Sequence, residues 1–130
     1  MTIETLGGVV TLADGTPVPL SKAVRAGDFI FLSGQLAFGS DGKIVAGGIA
    51  PQTRQCLTLI EAFLQNLDAQ LTDVVRATVW LTDTGDFAPF NTVYAEFFSE
   101  YPPARSTVCS ELVLPDARVE IEVTVFKPKE

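Results

Sequence analysis

The apolar residues of this chain change their spacing twice, and that change limits what it can fold into. Between Pro51 and Leu67, the residues Cys56, Leu59, Ile60, Phe63, Leu64 and Leu67 fall at i, i+3, i+4, i+7, i+8 and i+11. That is one apolar stripe of an amphipathic helix. Pro51 suits its first turn. The segment DVVRATVWLTD then alternates, with Val75, Ala77, Val79 and Leu81 on one side and Val74, Arg76, Thr78 and Trp80 on the other, as in a strand. A second helical stripe follows, made of Phe90, Val93, Tyr94, Phe97, Phe98 and Tyr101. Asp83 or Asp86 is placed to cap it, and Pro102-Pro103 to stop it.

Strand patterns lie on both sides of this helical middle. GGVVTLADGTPVPL predicts a short edge strand, an Asp14-Gly15 turn and a proline-punctuated loop. KAVRAGDFIFLSGQ predicts a strand, a turn at Ala26-Gly27-Asp28 and an apolar strand from Phe29 to Leu32. The loop AFGSDGKIVAGG is dense in turn residues. PPARSTVCSELVLPDARVEIEV reads as a closing hairpin. In its last strand Val119, Ile121, Val123 and Val125 point one way, and Arg118, Glu120, Glu122 and Thr124 the other.

The predicted order is β-β-β-α-β-α-β-β. It fits a single α+β domain over residues 1–130, with a mixed sheet and two helices packed on one face. Two helices cover one side only. The other side would carry Arg76, Thr78, Trp80, Glu120 and Thr124, too polar for a core and too apolar for plain solvent. Packing against another subunit is the expected use of such a face, and Trp80 is expected in packing or at the interface.

Composition removes several kinds of chemistry. The chain has no histidine and no CxxC pair, so a zinc site and a Ser-His-Asp or Cys-His unit lack their parts. Its two cysteines, Cys56 and Cys109, are expected as small core residues rather than as a disulfide. The net charge of −7 and the absence of a basic run disfavour nucleic acid as a partner. No apolar run reaches the roughly 20 residues a membrane span needs. The N-terminus lacks a signal-peptide pattern, so a cytosolic, membrane-free protein is expected.

Several blocks together resemble the RidA/YjgF/UK114 family. They are KAVRAGDFIFLSGQL, QTRQCLTLIEAFL, DVVRATVWLTDTGDFAPFNTVYAEFF, and PPARSTV followed by LP and VEIE, spread over residues 19–126. The resemblance implies a chorismate-mutase-like fold and a homotrimer whose sheets face the centre, with ligand clefts between subunits. It implies hydrolysis of reactive 2-imino and 2-enamino acids to 2-oxo acids and ammonia, with no metal or bound cofactor. By the same resemblance Arg105 holds the substrate carboxylate and Glu120 places or activates water. Asn91 matches the asparagine of the family's N-x-x-Y helix, and Ser33 and Gly34 match its SGQ wall. Thr107 stands where a cysteine is frequent and where the family uses backbone groups. One departure is plain: many members carry a tyrosine in a PYS segment that enters the neighbouring subunit's site, and here PLSK places Leu20 there.

The residue types suit the chemistry. Hydrolysis of a 2-imino acid needs a grip on the carboxylate, a water over the imine carbon and a route for protons to nitrogen. Arginine offers a planar fork that stays charged, and a carboxylate is the leading water acceptor in a chain without histidine. Spacing alone leaves other readings open. Arg105 could pair with Glu120 or Glu122, whose shared parity does not say which faces a cleft. Tyr94 belongs to the apolar stripe, whereas Asn91 is off it and suits a polar cleft contact. Ser33 reads as a strand end with no base to make it a nucleophile. The alternative to an enzyme is a non-catalytic small-carboxylate-binding protein of the same fold.

Overall fold

The computed structural model describes residues 2–129. Its elements are β1 (Ile3–Thr11), β2 (Pro17–Ala26), β3 (Phe29–Leu32), α1 (Ile49–Asn66), β4 (Val74–Leu81), α2 (Phe87–Phe97), β5 (Ala104–Cys109) and β6 (Val119–Phe126), in the predicted order. Short 3-10 turns at Leu71–Asp73 and Thr84–Asp86 lead into β4 and α2. The six strands form one mixed sheet in the order β1-β2-β3-β6-β4-β5. All pairs are antiparallel except β4 with β5, which is parallel. The expected α+β architecture, with two helices over one face, is the one observed.

The closing hairpin is not. β5 and β6 are not neighbours, because β4 lies between them. The physical reason is the helix ahead of β5: a strand, a helix and a strand in succession form a crossover, which returns parallel to the first strand. The proline-punctuated loop is also a strand, since β2 begins at Pro17 and pairs with β1 from there. An outer position next to the hairpin end tolerates prolines that a central strand would not. β1 is longer than expected and is broken by a bulge between Leu6 and Val9, where Gly7 and Gly8 take φ of 92° and 73°.

The core lies between the sheet and both helices. Ile30, Ala77, Val79, Val119, Ile121, Val123 and Val125 face it from the strands. Val74 joins that face through the irregularity between Val74 and Arg76, leaving Val75 outside. α1 buries Thr53, Cys56, Leu57, Ile60 and Leu64. Its buried arc is therefore rotated from the predicted stripe, and Leu59, Phe63 and Leu67 are half-buried. α2 buries Phe90, Val93 and Tyr94 and ends at Phe97; Tyr101 is exposed. Asp83 caps the 3-10 turn, its Oδ1 accepting from Gly85 N at 2.8 Å. Asp86 instead takes both Nε and Nη2 of Arg118 at 3.0 Å, pinning the start of α2 to the approach to β6.

Cys56 is buried as expected, but Cys109 is exposed at the end of β5. β5 is an outermost strand, so its last residue has sheet on one side only. The face away from the helices carries Arg76, Thr78, Trp80, Glu120, Glu122 and Thr124, by the registers of β4 with β6. It also carries Phe29, Phe31 and Phe126, 40%, 47% and 43% exposed. Their rings cluster at centroid distances of 6.4 and 5.3 Å. No described helix is long and apolar enough to cross a membrane.

Candidate active site

Arg105 sits on β5, opposite Ala77 of β4, and so points to the helix side of the sheet. There α2 receives it. Residues 87, 90, 91 and 94 fall at i, i+3, i+4 and i+7, one face of a helix. The guanidinium carbon lies 5.8, 5.4 and 4.7 Å from the ring centroids of Phe87, Phe90 and Tyr94. Nη2 donates to Asn91 Oδ1 at 2.9 Å. Among the described residues no carboxylate pairs with Arg105; the internal salt bridge that spacing left open does not form. Ring quadrupoles attract a cation by only about 0.5–1 kcal/mol at partly exposed sites. A charge-assisted hydrogen bond contributes about 1.5–3 kcal/mol. The cage therefore orients the fork and leaves most of its capacity for an anion.

Tyr94 is both core residue and site wall. The residue is 6% exposed, and its hydroxyl is buried on the Arg105 side of the ring. Burial pushes the phenol above its ordinary range, and the charge and N–H donors of Arg105 oppose that shift. Sequence periodicity does not separate this cage from the core, because Phe90 and Tyr94 belong to the apolar stripe and Phe87 lies outside it. The signal that would have found it is the i, i+3, i+4, i+7 set around Asn91, facing an arginine on the next strand.

The peptide groups of β5 extend this half of the site. Ser110 N donates to Leu81 O at 2.9 Å, so even-numbered residues of β5 face β4. The N–H and C=O of Arg105, Thr107 and Cys109 then face the free edge. Thr107 offers backbone groups there, on the same side of the sheet as Arg105. Beyond it lies an apolar cleft of about 340 Å³, lined by Leu81, Thr84, Phe87, Thr107, Val108 and Cys109.

Glu120 belongs elsewhere. It pairs with Trp80, three positions from Ala77, so it points to the face opposite Arg105. Its carboxylate rests on Gly34: a Cβ there would overlap Oε2 and lie 2.9 Å from Cδ. Half-burial pushes the Glu120 carboxyl above the usual carboxylate range, and the charge of Glu122 adds to the shift. Gln35 N and O pair with Ile121 O and N at 2.7 and 3.0 Å, which fixes Gly34 beside Glu120. Ser33 Oγ donates to Ser21 O at 2.6 Å. Its hydroxyl is committed to a backbone carbonyl, next to Leu20. Leu20 is 46% exposed and lines an open cleft of about 470 Å³ with Thr5, Gly8, Val9, Val18, Pro19 and Ser21.

The predicted residues thus form two groups within one chain. Arg105, Asn91 and Thr107 meet on the helix side at the β5 edge. Glu120 and Gly34 meet on the uncovered face, with Ser33 and Leu20 nearby on the β2–β3 side. The chain alone does not bring the arginine to the glutamate.

The sequence model of the family described as Endoribonuclease L-PSP matches residues 13–127. The chain belongs to this family, the RidA/YjgF/UK114 group. It is similar to a RutC family protein of Pyrococcus horikoshii, 44% identical over 84% of this chain and 87% of that protein. It is 39% identical to the 3-aminoacrylate deaminase RutC of Acinetobacter baylyi, over 86% and 92% of the two chains. It is also 39% identical to the 2-iminobutanoate/2-iminopropanoate deaminase of Bos taurus, over 80% and 77%. Among solved structures, yeast Mmf1 superposes with a TM-score of 0.85 at 29% identity, covering 97% of this chain and 99% of that one. The family therefore includes proteins named as deaminases of enamino and imino acids.

Proposed function

We propose that this protein is a cytosolic hydrolase of 2-imino and 2-enamino acids that works as a homotrimer with its sites between subunits. The observation that carries the reading is an arginine that pairs with no carboxylate among the described residues, held by Asn91 and three rings, in a chain whose Glu120 lies on the other face of the sheet. Juxtaposing two copies supplies what one lacks. In the proposed site one copy contributes Arg105, Asn91 and the Thr107 peptide, and its neighbour contributes Glu120 over Gly34, with Ser33 and Leu20 in the wall. The uncovered face, with its three exposed phenylalanines, supports subunit packing.

Arg105 binds the substrate carboxylate through two parallel N–H donors and sets the plane of the C=N bond. Glu120 accepts a proton from water as its oxygen attacks the imine carbon. Glu120 passes that proton to the imine nitrogen, giving the tetrahedral amino alcohol. It then takes the hydroxyl proton and delivers it to the amino nitrogen. The C–N bond breaks with its electron pair going to the departing ammonia, and the 2-oxo acid remains. No electrons enter or leave. A ribonuclease reading fits poorly, because a chain with net charge −7 and no histidine has neither a basic groove nor an imidazole base.

The test is to generate 2-imino acids in situ with an amino-acid oxidase and follow their lifetime. The protein should shorten it, and Arg105→Ala should abolish the effect with fold and oligomer intact. An unchanged lifetime across several side chains, where a known deaminase acts, would remove the catalytic claim. Leu20, in place of a hydroxyl-bearing tyrosine, favours a second reading: a small-carboxylate-binding protein without turnover. That reading predicts Arg105-dependent thermal stabilisation by 2-oxo acids and no change in imine lifetime.

A further inference from the structure

The apolar cleft beside Arg105 has no part in the chemistry just described. It starts at Phe87, whose ring faces the guanidinium at 5.8 Å and also lines the cleft. It continues past Thr107 to Cys109, along the outer strand β5. Thr107 is two residues from Arg105 on the same side of the sheet, about 7 Å along the strand. A fixed cation, a peptide edge with free donors and acceptors, and an apolar trough therefore follow one another in a line. That sequence complements a molecule with a carboxylate head and an apolar tail. The trough measures about 340 Å³, within the range of ligand-binding clefts. The methyl group of an alanine-derived imine would leave most of it wet.

We infer that this cleft is the side-chain subsite, and that the substrates of this protein are 2-imino acids with sizeable apolar side chains rather than the short products of serine and threonine dehydration. The inference rests on the proposed anchoring of carboxylates by Arg105. Leu81 and Phe87 supply the apolar walls, and Cys109 stands at the far end, exposed and outside the core. Each added methylene buried in such a trough is worth a factor of about four in binding. Selectivity should therefore climb steeply from the alanine-derived to the leucine-derived imine.

The experiment compares imines generated from alanine, 2-aminobutyrate, norvaline, leucine and phenylalanine, with the wild-type chain and with Cys109→Phe, which places a ring in the trough at an exposed position. The expected result is a wild-type kcat/KM that rises along the aliphatic series. In Cys109→Phe the leucine-to-alanine ratio falls at least about tenfold. A flat or falling wild-type series, or a ratio that Cys109→Phe does not move, overturns the subsite and leaves the deaminase reading standing. If no imine is turned over, the deaminase reading fails, and Kd values for the matching 2-oxo acids decide the subsite. Tighter binding of 4-methyl-2-oxopentanoate than of pyruvate, lost in Cys109→Phe, upholds it. Equal Kd values, or a preference that survives the substitution, overturn it.

Discussion

At Gly34 one added methyl group would meet the Glu120 carboxylate and little else. The φ of Gly34 is not in the left-handed region, so its backbone accepts an L-residue without strain. What a Cβ would meet is the mobile end of Glu120. Gly34→Ala should fold with a Tm within a few degrees of wild type. It should displace the carboxylate and lower kcat/KM about tenfold or more, since a shift of roughly 1 Å at a reacting group costs up to about a hundredfold. Tyr94 gives the converse case. Tyr94→Phe keeps the ring under Arg105 and deletes only a hydroxyl on the Arg105 side of the ring, so Tm should stay within a few degrees of wild type, with KM near wild type. Tyr94→Leu removes the ring and should raise KM about fivefold; an equal KM in both variants would deny the ring a positioning role. Periodicity marks Asn91 as off the apolar stripe and Glu120 as opposite the apolar row, while the proposed roles of Arg105, Asn91 and Glu120 come from the family resemblance. The rings were not legible in the sequence, because the spacing that buries a phenylalanine is the spacing that presents it to a cation.

At the scale of the element, α1 ends in a Schellman arrangement: Ala69 N donates to Leu64 O at 2.9 Å and Asp68 N to Gln65 O at 3.1 Å. Asp68 takes φ of 58° there, the position glycine usually holds. Asp68→Gly should raise stability by up to about 1 kcal/mol, read as an increase in Tm with activity unchanged. The order of elements was legible in their periods, but the neighbours of β5 were not. Alternation reports which residues share a face and says nothing about which strand lies alongside. The crossover helix between β4 and β5 carried that information, and it places β5 at the outer edge, where Thr107 and Cys109 present free peptide groups. The buried arc of α1 was likewise misjudged, because Thr53 is fully buried although its type suggests an outward position.

For the whole molecule, the decisive relation is between Ala77 and Trp80 on β4, three residues apart, one paired with Arg105 and the other with Glu120. If a working site needs both side chains, they come from different copies. Mixed assemblies of Arg105→Ala and Glu120→Gln, each inactive alone, should then regain about a quarter of wild-type activity on random exchange of subunits. A site built within one chain would regain none. That relation is invisible before the sheet is assembled, because it depends on two registers across a shared strand. A site shared between copies would also make output depend on crowding among identical molecules. A newly synthesised chain would be silent until it met others, and dilution below the dissociation constant of the assembly would extinguish turnover without unfolding anything.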